Sequence, residues 1–144
     1  MHRPVFLAVV LVGLVTVTAC KDDGRVKVYP VQGKVLVAGA PAGGARVVFY
    51  PQSDELKKPG MPVPEGMTDS QGVFKLRSYK ADDGAPAGEF KVSVIWFEPQ
   101  KDGSIVDSPS AKDRLAGRYS NPQKSNLSAK VEKGGGEIPP FELQ

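Results

Sequence analysis

Histidine and cysteine are almost missing from this chain: of 144 residues one is histidine, His2, and one is cysteine, Cys20. Beyond residue 20 there is neither an imidazole nor a thiol. This excludes a Ser–His–Asp or Cys–His constellation and a His/Cys zinc site from the rest of the chain. A lone cysteine also excludes an internal disulfide. No G-x-x-x-x-G-K-[ST] phosphate loop occurs. Long apolar runs are lacking too. The longest, Val5 to Ala19, has 15 residues, short of the roughly 20 that a bilayer-crossing helix needs. Nor does one sign of charge dominate, with 19 Lys and Arg against 16 Asp and Glu, too small a basic excess to argue for nucleic acid.

What is present begins at the N-terminus. Met1-His2-Arg3-Pro4 is a short positive start, Val5 to Ala19 is an apolar core, and Ala19 is a small residue at its end. This order reads as a signal peptide over residues 1–19, with a retained membrane anchor as the alternative. For Cys20 the residues leave three roles: pairing with another chain, a free thiol, or modification. The stretch Val17-Thr18-Ala19-Cys20 resembles the bacterial lipobox, an aliphatic residue, a small or β-branched one, a small one, then cysteine. That resemblance implies a diacylglyceryl group on the Cys20 sulfur and cleavage between Ala19 and Cys20. It further implies acylation of the new amino terminus by a fatty acid such as palmitate. The protein would then be held by lipid on the extracytoplasmic side. Lys21 is not the aspartate that some bacteria use for inner-membrane retention, which leans towards the outer membrane or cell surface. Residues 20–29, charged at Lys21, Asp22, Asp23, Arg25 and Lys27, are expected to be a lipidated tether.

Removing the leader removes Arg3, so the formal charge of +3 falls by one. The remainder suits a single domain, expected over residues 30–144. The whole chain's 16 glycines and 13 prolines, about a fifth of its residues, lie above average usage and suit short strands joined by turns. No helical period stands out after residue 20. Alternation punctuated by Gly and Pro recurs instead, the pattern of an all-β sandwich or barrel. Strands are expected at Val31 to Val37, Ala45 to Pro51, about Val73 to Leu76, Glu89 to Phe97, Leu127 to Lys133, and around Phe141 and Leu143. Glu89 to Phe97 alternates most cleanly. Phe90, Val92, Val94 and Trp96 share one face, and Glu89, Lys91 and Ser93 share the other, so it should be the central core strand. Pro30 should break the chain before the first long strand, and Pro139-Pro140 suits a sheet edge.

GKVLVAGAPAGGARVVFYP, TDSQGVFKL and GAPAGEFKVSV together resemble the carboxypeptidase regulatory-like domain. The matching positions run from Gly33 and Val35 through Gly44, Ala45, Val47, Phe49, Thr68, Asp69, Gly72 and Phe74. They continue through Pro86, Gly88, Phe90, Val92 and Val94, and the resemblance covers roughly residues 31 to 97. It implies a transthyretin-like or Ig-like antiparallel β-sandwich of about seven strands. In the metallocarboxypeptidases of that family catalysis belongs to a separate domain, so none of that activity carries over. The residues explain the pattern by themselves: glycines permit turns, Asp69 caps one, and alternating Phe and Val fill a core.

The remaining chemistry is that of carboxylates. Asp82-Asp83-Gly84 and Asp102-Gly103 hold calcium-type oxygens, yet neither spells an EF-hand loop, and Asp-Gly is first a turn pair. No metal or other cofactor is therefore expected. Asn126-Leu127-Ser128 is a glycosylation sequon by spelling alone. One surface is a candidate ligand patch: Phe97, on the outward parity of the central strand with Ile95, together with Arg114, Arg118 and Tyr119 from the long loop. The plainer expectation is that the loop folds back over Ile95 and Phe97. The functional expectation is a non-enzymatic, lipid-anchored envelope module with a structural or protein-interaction role. A carbohydrate- or cell-wall-binding module on the same fold is the alternative, and a carboxylate-based hydrolase comes last.

Overall fold

The computed structural model describes residues 24–108 and 110–144. Cys20 and the lipobox residues Val17, Thr18 and Ala19 lie outside the described residues, as does the rest of the leader. No helix occurs among the described residues. Eleven short strands follow in order: β1 Val28–Tyr29, β2 Val31–Val37, β3 Ala40–Pro41, β4 Ala45–Pro51, β5 Glu65–Met67 and β6 Val73–Lys75. The rest are β7 Ala85–Pro86, β8 Gly88–Trp96, β9 Leu127–Val131, β10 Gly136–Glu137 and β11 Phe141–Leu143.

These strands form an all-β sandwich. One sheet is ordered β5-β4-β8-β9, antiparallel throughout, with Val47 opposite Val94 and Phe90 opposite Ala129. The other is built on β2, which pairs antiparallel with β3 and β6 and parallel with β10 and β11. The two parallel pairings depart from a wholly antiparallel expectation. After β9 the chain turns and then follows β2 in β2's own direction, with Gly136 opposite Val31 and Phe141 opposite Val35. Pro139 and Pro140 fall in the gap between β10 and β11, where their missing amide donors interrupt no ladder.

Alternation places the core between the sheets. Val47 and Phe49 of β4 and Phe90, Val92 and Val94 of β8 meet Val31 and Val35 of β2, Phe74 of β6 and Phe141 and Leu143 of β11. Phe49 is the centre of this cluster. Its ring lies 6.2 Å from Phe74, 5.6 Å from Phe90 and 6.2 Å from Phe141, in the tilted and edge-on geometries that aromatic quadrupoles favour.

The motif residues do fold-level work. Asp69 accepts bonds from the Gln71 and Val73 amides, closing the turn before β6. Thr68 is buried; its hydroxyl donates to the Ala42 carbonyl and accepts from the Ala45 amide, joining the ends of two strands. Two glycines permit backbone approach that a side chain would block. A Cβ on Gly66 would stand 2.4 Å from the Lys75 carbonyl oxygen, where β5 meets β6. At Gly84, with φ +94°, it would stand 1.7 Å from the Tyr29 carbonyl oxygen, where β1 lies against the turn before β7.

Two expectations change, and a third is settled between its alternatives. The tether is shorter than residues 20–29: the Val26 amide donates to the Tyr79 hydroxyl at 3.2 Å, and Val28 and Tyr29 pair with Pro86 and Ala85. Ser93, placed by alternation with the solvent-facing Glu89 and Lys91, is only 2% exposed. Phe97 is 3% exposed, as the plainer expectation of a covering loop has it, and not the surface aromatic that a ligand patch needs. The segment after β8 returns alongside it, through Arg114 N to Trp96 O, Glu98 N to Lys112 O and Val94 N to Tyr119 O. The returning chain thus continues the edge of β8 beyond β9, with Phe97 bridged to Asp113.

Candidate functional site

An open groove of ≈ 580 Å³ runs along the seam where β5 meets β6. Reciprocal bonds between Glu65 and Arg77 tie the two sheets there, Glu65 N to Arg77 O at 3.0 Å and Arg77 N to Glu65 O at 2.8 Å. The groove is charged along its walls by Arg46, Glu65, Lys75, Arg77, Asp82 and Asp107. Met67, Val73 and Ile105 give it an apolar end. Met67 is 44% exposed there.

The charges are matched within the groove. Glu65 lies between two guanidinium groups, with Arg46 Nη2 at 2.8 Å from Oε2 and Arg77 Nη2 at 2.5 Å from Oε1. Arg46 also reaches Asp107 at 2.9 Å, and Lys75 stands 3.9 Å from Asp82. The hydrogen bond from Arg46, then that from Arg77, hold the Glu65 carboxyl below its ordinary range despite partial burial. The same pairing raises Arg46. Glu65 is thus ionised and acceptor-only at neutral pH. It cannot serve as the proton donor that a two-carboxylate hydrolase requires, whose acid must have a raised pKa.

This geometry sets a pH dependence. Because the folded carboxyl titrates lower than the unfolded one, its stabilisation is complete well above the unfolded value of about 4.3. It declines as pH falls below that value and is gone once pH passes the folded one. Glu65→Gln should cost about 1 kcal/mol at pH 7, as befits a partly exposed network. The gap between wild type and variant should be smaller at pH 3 than at pH 7. Urea unfolding at the two pH values measures the gap, and an equal gap at both would refute the assignment.

The other carboxylates singled out by sequence serve turns. Burial acts to raise the Asp83 carboxyl, but bonds from the amides of Ser78, Tyr79 and Lys80 outweigh it and hold it low. Asp102 accepts from the hydroxyl and amide of Ser104, which lower it. Among the described residues no group of three or more His, Cys, Asp or Glu could hold a metal ion.

The four residues of the sequence-derived patch do not open onto one surface. Phe97 is buried and offers no contact area. Arg114 lays its guanidinium over the Trp96 ring, 3.6 Å from its centroid, while the indole N–H donates to the Gly43 carbonyl at 2.9 Å. Arg118 donates to the Gln144 carbonyl, and the Gln144 amide donates to the Tyr119 hydroxyl at 3.2 Å. Arg118 and Tyr119 are thus brought together, but to hold the last residue of β11's extension. Tyr119 also packs against the core.

Sequence reading missed the groove. Arg46, Glu65 and Arg77 are far apart in the chain and share no motif. The signal that could have found them is cross-strand: opposite charges at surface positions of strands that become neighbours, visible only once register is known.

No family model and no curated protein matches this chain, and no helix among the described residues is long and apolar enough to cross a membrane. Among solved structures the chain is similar to part of a 9R-lipoxygenase from Cyanothece PCC8801, at 15% identity and TM-score 0.42, over 81% of this chain and 16% of that one.

Proposed function

We propose that this protein is a lipid-anchored, extracytoplasmic envelope protein whose β-sandwich is a non-enzymatic structural or protein-interaction module. The observation that carries the reading is Val17-Thr18-Ala19-Cys20, at the end of the apolar run and only a few residues before the first ordered strand. The resemblance of residues 31 to 97 to the carboxypeptidase regulatory-like domain supports a transthyretin-like module. The roles of Thr68, Asp69 and the core phenylalanines within the sandwich agree with that pattern. The non-enzymatic part is supported by the state of Glu65, Asp83 and Asp102, drawn into ion pairs or turns of their own.

A protein partner fits better than a polysaccharide. Sugar rings stack on exposed aromatic faces, and among the described residues every Phe, Tyr and Trp is buried or half-buried. The Trp96 face is already taken by Arg114. The groove along the β5–β6 seam, with matched ion pairs along its walls and Met67, Val73 and Ile105 at one end, suits an extended polypeptide. Metabolic labelling with a clickable fatty acid tests the anchor. Wild type should take up label on a proteolytic fragment starting at Cys20, and an unlabelled, unmodified Cys20 would sink the reading.

A further inference from the structure

The sandwich has two dissimilar poles, and the topology puts the start of the described chain at one of them. β1 lies against β7, with Val28 opposite Pro86. The Val26 amide is bound by the Tyr79 hydroxyl, and the Arg25 guanidinium lies 5.2 Å from the Tyr79 ring centroid. Around this pole gather the 78–84 turn, the loop after Pro51, whose Leu56 lies against Gly88, and the turn before β10, where the Gly136 amide donates to the Pro30 carbonyl. The opposite pole carries the turn after β2, the Asp69–Gly72 turn, and Ile105 of the long loop against Gly44. β8, nine residues long, sets the poles roughly 30 Å apart.

We infer that the β1 pole faces the headgroup surface of the membrane at near-contact distance, and that the opposite pole points away from it. The inference rests on the lipid-anchor reading of Cys20. From Cys20 to Arg25 there are five Cα–Cα steps, about 18 Å at full extension. That is shorter than the sandwich is tall, so the molecule cannot turn over to bring the far pole to the lipid. Net charge is not what holds it. Lys57, Lys80 and Lys133 stand among Asp54, Asp82 and Glu132 on this pole, and Lys57 is 3.8 Å from Asp54. The ordering should therefore survive high salt, unlike a polybasic attraction, which is screened. One consequence concerns the groove. Lys75, Arg77 and Asp82 are its membrane-side end, and Met67 and Ile105 its outward end, presented to whatever partner approaches.

The test uses the full chain, purified from membranes and reconstituted into phosphatidylcholine vesicles carrying a headgroup-attached nitroxide lipid. A lipidated Cys20 has no free thiol, so a fluorophore reports only an introduced cysteine, Ala81→Cys near β1 or Ser70→Cys at the far pole; both residues are exposed. Quenching should be about threefold stronger at position 81, given the separation of the poles, and unchanged by salt. Inserting twenty Gly/Ser residues after Asp23, with a mean span of about 25 Å, should abolish the difference. Equal quenching at both positions, or a difference that survives the insertion, would overturn the orientation while acyl mass on Cys20 shows the anchor intact. Absence of that mass would overturn the anchor reading itself.

Discussion

Cys20→Ser is expected to carry the protein almost entirely from the detergent phase to the aqueous phase in phase partition. Diacylglyceryl transfer makes a thioether, and a serine hydroxyl is not a substitute for the more nucleophilic thiol. Burial of an acyl chain contributes about 0.8 kcal/mol per CH₂, so one chain binds reversibly and two or three anchor effectively permanently. Removing all of them should shift the partition by many orders of magnitude, a larger effect than any change inside the domain. Intact mass distinguishes the possible products. A variant that keeps residues 1–19 is heavier by the leader and carries no acyl group, and its run of 15 apolar residues is short for a stable span. Identical partition of wild type and variant, with no acyl mass on either, would end the lipoprotein reading.

Phe49→Ala should destabilise the domain by about 3–5 kcal/mol, the usual range for emptying a buried aromatic site. Phe49 is fully buried and touches Phe74, Phe90 and Phe141, from both sheets. Its loss opens a cavity at the one point where the two layers share a ring cluster. Set against a total of about 5–15 kcal/mol for an ordinary domain, this removes a large fraction. The melting temperature should fall by about 10–20 °C. Phe49→Leu, which keeps much of the volume, should cost less than half as much. Equal losses for the two variants, measured by urea unfolding, would show that cavity volume is not what matters at this position, since both lose the ring and only leucine keeps the volume.

Strand positions were largely legible because β8, β4 and β2 carry strong period-two patterns whose inner faces read directly from Phe90, Val92, Val94, Val47 and Val35. The break at Pro30 and the edge placement of Pro139-Pro140 were legible for a covalent reason: proline has no amide donor. The candidate site was not. For Phe97 the covering loop was the plainer expectation and the ligand patch the sharper one, and its burial decides for the first. Ser93 was misassigned because parity describes one strand in isolation. Arg46, Glu65 and Arg77 carry no spacing signal at all, since their meeting depends on β4, β5 and β6 being neighbours.

The sequence by itself determined the class of fold and the chemistry that lies beyond residue 20. Side-chain period, turn residues and the lack of His and Cys are local properties, readable without knowing what packs on what. The stretch Val17-Thr18-Ala19-Cys20, on which the proposed lipid anchor rests, is likewise a linear pattern. Only the tertiary structure decided that residues 136–143 run parallel to β2, and that Val26 and Arg25 are bound to Tyr79, shortening the tether. It also decided that two arginines converge on Glu65. These depend on contacts between residues distant in the chain, whose free energies are set by register and burial, and no local pattern carries that information.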